Sequence, residues 1–247
     1  MYTEHVISFI DILGYSDLVT EKDYDYIKQC CGIFLKVFGA NSYDEKIRRR
    51  TTYFSDTIVT SIPVHLNPQT TRSHGILYHE LSALALAQAD LFSSRGILVR
   101  GSITIGQLYH ENNEIFGPAL IRAHKIEQTA CYPRIVIDRE LFRRYFTSRD
   151  LVNYQHLTHS IDYKYIRPII RREANGDRIV DYLLYVINNF DYPEEIPDFL
   201  LKHKDFIKVG LANKSESIRK KFLWLSNYHN QSIERISDLT ERNSFRI

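Results

Sequence analysis

The 247 residues carry 44% hydrophobic and 25% charged side chains, ordinary values for a chain that buries one sizeable core. A net charge of +2 gives no general attraction to nucleic acid or an anionic membrane, and no apolar run is long enough to span a bilayer. The start, Met1-Tyr2-Thr3-Glu4-His5, has no secretion-type pattern, and Cys30, Cys31 and Cys131 form neither a C-x-x-C pair nor an even framework, so the expectation is a cytoplasmic protein with reduced thiols.

Val6-Ile7-Ser8-Phe9-Ile10-Asp11-Ile12 reads as a strand covered on both faces, broken near its end by Asp11. Gly14 follows, where the backbone can turn sharply. A helix is predicted over about 25–38, with Tyr26, Ile27, Cys30, Cys31, Phe34, Leu35 and Phe38 as its apolar stripe. Residues 50–54 and 57–62 read as two strands joined at Ser55-Asp56, a hairpin with Asp56 at its tip. A second helix covers about 75–93, and a strand follows over 97–106. The polar residues 110–114 separate it from a helix starting near Gly117. Residues 134–138 predict a short strand, and 139–145 a short helix.

Up to Gly106 the order is β-α-β-β-α-β, the ferredoxin-like arrangement, in an α+β fold. Beyond about residue 147 the pattern is less legible and predicts a C-terminal α/β elaboration (148–247) packed on a core (1–147). Ala174-Asn175-Gly176-Asp177 marks a hairpin turn. A helix spans about 215–230 and its flanks, with Phe222-Leu223-Trp224-Leu225 as its buried stripe.

In a β-α-β-β-α-β sheet the first and third strands are neighbours, so Asp11 and Asp56 can converge at one edge. Two hard oxygen ligands there suit Mg²⁺ or Mn²⁺, with a triphosphate supplying further oxygens. The plainer use of each aspartate is to cap or form a turn, and the pairing of the two favours the metal.

Phe9-Ile10-Asp11-Ile12-Leu13-Gly14-Tyr15-Ser16 resembles the F-x-D-I-x-G-[FY]-[ST] signature of class III adenylate and guanylate cyclases. Phe54-Ser55-Asp56 is similar to that family's second metal-binding hairpin, with Ser55 in place of a glycine. Residues 99–106 resemble its V-R-x-G-[IV]-x-x-G strand, and the stretch from Gly117 to Lys125-Ile126-Glu127 its late helix. The resemblance covers roughly residues 5–140. It implies that Asp11 and Asp56, with the Ile12 carbonyl, hold two Mn²⁺ or Mg²⁺ ions, and that Gly14, Tyr15 and Ser16 cradle phosphates. It implies a basic residue on the terminal phosphates, with Arg134 the candidate and Lys164 and Arg167 in a similar region. The family's reaction is attack of the ribose 3′-oxygen on the α-phosphorus with release of pyrophosphate, in a head-to-tail homodimer.

The family's adenine-selecting lysine falls on Thr52 and its acidic partner near Glu114. Tyr53 and Arg100 stand there instead, a pattern that resembles the Pycsar pyrimidine cyclases, which make cyclic UMP or cyclic CMP in bacterial antiphage defence. Arg100 suits a carbonyl acceptor, which places UTP ahead of CTP. The family's ribose-orienting asparagine and transition-state arginine align with Ile121 and Lys125, leaving Lys125 or Arg122 to supply catalytic charge. The product would act on a separate effector. His156 and His159 have no evident third ligand and read as surface histidines. Arg48-Arg49-Arg50 and Arg219-Lys220-Lys221 read as solvated faces, the first also able to steer a triphosphate. A purine cyclase with rearranged base contacts and an inactive nucleotide-binding dimerisation module are the alternatives. An RNA-binding domain of the same strand order would need a basic face and exposed sheet aromatics.

Overall fold

A computed structural model describes residues 1–38, 48–64, 73–112, 114–146, 165–236, 239 and 241–247. His156, His159 and Lys164 lie outside these described residues.

The most apolar segment forms the central strand. β1 (Thr3–Ile12) runs antiparallel between β3 (Thr57–Pro63) and β4 (Val99–Glu111). β2 (Arg50–Phe54) pairs with β3, β5 (Glu114–Phe116) folds back on β4, and β6 (Ile135–Ile137) runs parallel to β4. The sheet continues through β8 (Arg178–Val180) to β7 (Ile170–Arg172), giving the order β2-β3-β1-β4-β6-β8-β7.

Alternation along β1 separates two unequal cores. Val6, Ile10 and Ile12 join the larger one with Phe34 and Phe38 of α2 (Tyr24–Phe38) and Leu77, Leu81 and Leu84 of α3 (Ser73–Arg95). Ile7 faces the other way, with Val59 and Leu108, in a smaller cluster covered by Ala119, Ala123 and the partly buried Leu120 of α4 (Pro118–Thr129) and by Ile115 of β5. Asp11, in phase with Ile7, therefore emerges on the lightly covered face.

Within the larger core the buried carboxylate Glu80 accepts from Ser8 Oγ at 2.6 Å, from Thr60 Oγ1, and from Arg49 Nε at 3.1 Å. The expected solvated Arg48-Arg49-Arg50 face is thus corrected. Arg49 turns inward to neutralise a buried acid, and Arg50 pairs with Glu111 and donates to the His110 carbonyl.

α1 (Tyr15–Glu21) is an element the apolar pattern did not announce, because it buries no residue of its own. β4 runs five residues past Gly106 and pairs with β5, so His110, Glu111 and Glu114, expected in a separating stretch, belong to strands. α5 (Arg139–Phe146) follows β6 as expected. The β7–β8 hairpin turns at Asn175-Gly176, with Gly176 at φ 87°. α6 (Tyr182–Ile187), α7 (Ile196–Leu211), α8 (Glu216–Arg235) and α9 (Arg242–Phe245) complete the chain. The expected four-residue stripe on α8 is corrected. Leu225 is fully buried, but Leu223 is 56% exposed, since four consecutive residues wrap around a helix. Leu35 of the α2 stripe is likewise exposed.

Gly101 sits where β4 crosses β1, and a Cβ there would overlap the Phe9 carbonyl oxygen. Gly101→Ala is expected to cost about 3 kcal/mol, as overpacking against rigid backbone does. A thermal melt would show this as a drop of roughly 6–12 °C.

Candidate active site

Strand register places three side chains in one row on the lightly covered face. Asp11 is the Cα partner of Thr57 on β3 and of Arg100 on β4. Asp56 lies in the turn between β2 and β3, where Ser55 adopts φ 54°, a conformation that favours the glycine it replaces in the resembling motif. The Ile12 N–H donates to the Asp56 carbonyl at 3.2 Å, which ties the tip of the hairpin to the strand bearing Asp11.

Arg100 Nε donates to Asp11 Oδ2 at 2.9 Å and stands 2.6 Å from Glu127 Oε1. Glu127, in the last turn of α4, is 3% exposed, and its Oε1 makes no hydrogen bond. Burial pushes the Asp11 carboxyl up to about 6; the charges of Asp56 and Glu127 add to the rise and Arg100 opposes it. Glu127 is raised chiefly by burial, opposed by Arg100 and His124, with Asp56 adding. The His124 ring packs on Phe9 at 5.3 Å.

These residues fit a divalent cation. Two carboxylates on joined strands, at least one held back from ionising by burial and by its acidic neighbours, are stabilised by a dipositive ion, and their hard oxygens suit Mg²⁺ or Mn²⁺. Among the described residues no three His, Cys, Asp or Glu side chains are grouped to hold a metal alone. A metal here therefore needs further oxygens from backbone, water or substrate.

The other expected site residues divide. Gly14, at φ 76°, turns the chain from β1 into α1, so Tyr15 and Ser16 open that helix directly after Asp11 and Ile12. Tyr53 is not brought to Arg100. It is the partner of Ile58, which faces the larger core, and its hydroxyl meets Cys31 Sγ of α2. Tyr15 also bonds to this hydroxyl, and burial raises the Tyr53 pKa. The two residues expected to read a base together thus lie on opposite faces of the sheet.

Arg122 is engaged elsewhere, its Nε 2.6 Å from Asp138 Oδ2. Asp138 also accepts from Thr104 Oγ1 at 2.5 Å. Lys125 is exposed, on the side of α4 away from the buried Ala123 and Glu127. Arg134 as the phosphate-binding residue is corrected. It is 7% exposed and clamped by Glu173 and Asp177 of the β7–β8 hairpin. Glu114 near the base is corrected too. It pairs with Glu111 at the far end of β4 from Arg100, roughly 35 Å along the strand.

Glu127 and His124 were not singled out in the sequence as site residues. The available signal was an acidic residue four positions past Ala123, in line with the alanines on the buried face of the helix.

Beyond the site, His110 is buried between Thr52 Oγ1 and Ser61 Oγ, each at 2.8 Å. Its pKa falls to about 4, through burial first and then the charges of Arg50 and His5. Because the unfolded chain binds the proton near 6.5 and the folded chain near 4, stability is intact above about 6.5. It is then lost as the pH falls to 4, by about 3 kcal/mol from this residue. Urea unfolding at pH 7.5 and 4.5 measures the loss, and His110→Gln is expected to flatten it.

No protein-family model and no curated protein matches the chain. Among solved structures it is similar to the adenylyl cyclase CyaB from P. aeruginosa, at 13% identity over 73% of this chain and 95% of that one, with a TM-score of 0.47. It is similar to the guanylyl cyclase domain of the RhoGC fusion protein from the aquatic fungus Blastocladiella emersonii, at 11% identity over 72% and 93%, with a TM-score of 0.44. A class III adenylyl cyclase-like ATP-binding protein from Pseudomonas aeruginosa is similar at 13% identity over 67% and 40%, with a TM-score of 0.43. At such low identity and overlap, the side chains themselves have to carry the function.

Proposed function

We propose that this protein is a nucleotide cyclase that closes a pyrimidine nucleoside triphosphate to its 3′,5′-cyclic monophosphate, with UTP ahead of CTP. The observation that carries this reading is the pair of carboxylates, Asp11 and Asp56, on backbones joined at Ile12 beside a cationic side chain. In the reaction the ribose 3′-oxygen forms a bond to the α-phosphorus, the bond from that phosphorus to the β-phosphate oxygen breaks, and the 3′-hydroxyl proton leaves to solvent. Bound between the two aspartates, Mn²⁺ or Mg²⁺ ions would acidify the hydroxyl and offset charge on the leaving pyrophosphate.

The chain's own groups bind and orient. Asp11 and Asp56, with the Ile12 carbonyl, would hold the ions and so bring the reacting end of the triphosphate to this strand edge. The first turn of α1 at Gly14, Tyr15 and Ser16 receives the remaining phosphates. Among the described residues the hydrogen bond of Arg100 runs from Nε to Asp11, which leaves the Nη fork to meet a carbonyl on the base.

Lys125 points away from these aspartates, so it would serve the aspartates of a second copy. That favours a head-to-tail homodimer with shared sites. The reading extends to a cytoplasmic enzyme whose cyclic product acts on a separate effector in antiphage defence. A second reading, a purine cyclase with rearranged base contacts, is favoured by one observation, the separation of Tyr53 from Arg100 across the sheet.

The base is tested by competition of ATP, GTP, CTP and UTP against a fluorescent nucleotide on the Mn²⁺-loaded protein. The pyrimidine reading expects UTP to compete at least about tenfold better than either purine, with Arg100→Gln abolishing the preference. Preference for ATP or GTP supports the purine reading.

A further inference from the structure

Resting on the metal site of that reading, we infer that Arg100 is a resident counter-ion that occupies the metal-facing oxygen of Asp11 in the free protein, and that Glu127 is the positioning residue that takes over its guanidinium when a divalent ion arrives. Arg100 Nε carries a single hydrogen, and it is spent on Asp11 Oδ2 at 2.9 Å. Glu127 Oε1 is nearer to the same nitrogen, at 2.6 Å, in an ion pair that has no aligned hydrogen.

A buried carboxylate oxygen ion-paired this closely but without an aligned hydrogen lacks the charge-assisted bond it could make. A small rotation that turns the N–H from Asp11 to Glu127 supplies that bond. The same rotation frees Asp11 Oδ2 for a metal. A guanidinium stays protonated at any working pH, so it leaves that oxygen only by being displaced. Asp11 and Glu127 thus offer one donor two alternative acceptors. A cation at Asp11 biases the choice toward Glu127, and the Nη fork, 32% exposed with the rest of the side chain, moves with it. Metal loading and presentation of Arg100 to substrate become one event.

The test is Mn²⁺ binding to the nucleotide-free protein, read from the electron paramagnetic resonance signal of free Mn²⁺. Arg100→Gln removes the competing cation and is expected to tighten Mn²⁺ by tenfold or more, the size of a neighbouring charge's effect on a carboxylate. Glu127→Gln removes the alternative acceptor, leaves Arg100 on Asp11, and is expected to weaken Mn²⁺ by about tenfold. Should Arg100→Gln fail to fold for want of a counter-ion, the charge-balanced Arg100→Gln/Glu127→Gln double variant replaces it. That variant is expected to bind Mn²⁺ at least as tightly as the unmodified protein.

If Mn²⁺ affinity is unchanged or weaker in the folded Arg100 variants while the unmodified protein binds Mn²⁺ and releases pyrophosphate, the counter-ion role is overturned and the cyclase reading stands. If the unmodified protein binds no Mn²⁺, with or without nucleotide, both fall.

Discussion

Asp56→Ala is expected to lower pyrophosphate release by about a thousandfold or more, the scale of losing a group that stabilises developing charge, while the protein stays folded. The fold tolerates the change because the structural bond at this residue uses its backbone. The Asp56 carbonyl accepts from Ile12, and the alanine variant keeps that bond. Removing the carboxylate also relieves repulsion on Asp11 and Glu127, both of which its charge pushes toward protonation. The melting temperature is therefore expected to hold or rise slightly. Activity and a melting curve on the same sample check the pair of outcomes. A variant that melts normally and keeps more than a tenth of its activity would remove Asp56 from the chemistry.

Asp181→Ala is expected to destabilise the whole chain by about 3–5 kcal/mol, as loss of one partner from a buried charged network does. Asp181 is fully buried between β8 and α6. It caps α6 at the Leu184 N–H, accepts the Tyr228 hydroxyl at 2.9 Å, and pairs with Arg235 at 2.5 Å. Both Tyr228 and Arg235 belong to α8. Because β8 hydrogen-bonds to β6, a loss at Asp181 is expected to pass into the sheet. We expect one cooperative transition lowered by roughly 6–20 °C, the outcome for a C-terminal region that folds together with the core. Two separate transitions would show that the C-terminal region folds independently.

Much of the core was legible because its elements bury regular faces. β1 and the β2–β3 hairpin follow directly from apolar runs and from the Ser55-Asp56 turn, and Asp11 stands out because it interrupts such a run. α1 was hidden because it is seven residues long with none fully buried, and Tyr15 and Leu18, partly buried against the core, are too few to mark a period of 3.6. α7 was hidden because its inward face includes His203 and Gly210 among Phe199, Leu200 and Ile207. His203 is tolerated there by bonds to Tyr182 and His229. Gly210 lets Phe222 of α8 lie against the helix backbone, where any Cβ would collide with the ring. Neither reason is readable before the packing is known.

The site divides in the same way. Its strand aspartates were placed by topology, which one sequence encodes locally. The roles given to Tyr53, Arg122 and Arg134 depended on which face and which partner each side chain finds. Strand phase turned Tyr53 to the other face, and the acids of distant segments, Asp138, Glu173 and Asp177, claimed the two arginines. Glu127 was missed because its partner, Arg100, lies 27 residues before it on another element.

The central claim is tested most directly by incubating the purified protein with Mn²⁺ and each of ATP, GTP, CTP and UTP in turn, and measuring pyrophosphate together with cyclic product. A cyclic pyrimidine monophosphate formed in equal amount to pyrophosphate, and absent from Asp56→Ala, is the predicted result. A folded protein that binds nucleotide and releases no pyrophosphate from any of the four would contradict it.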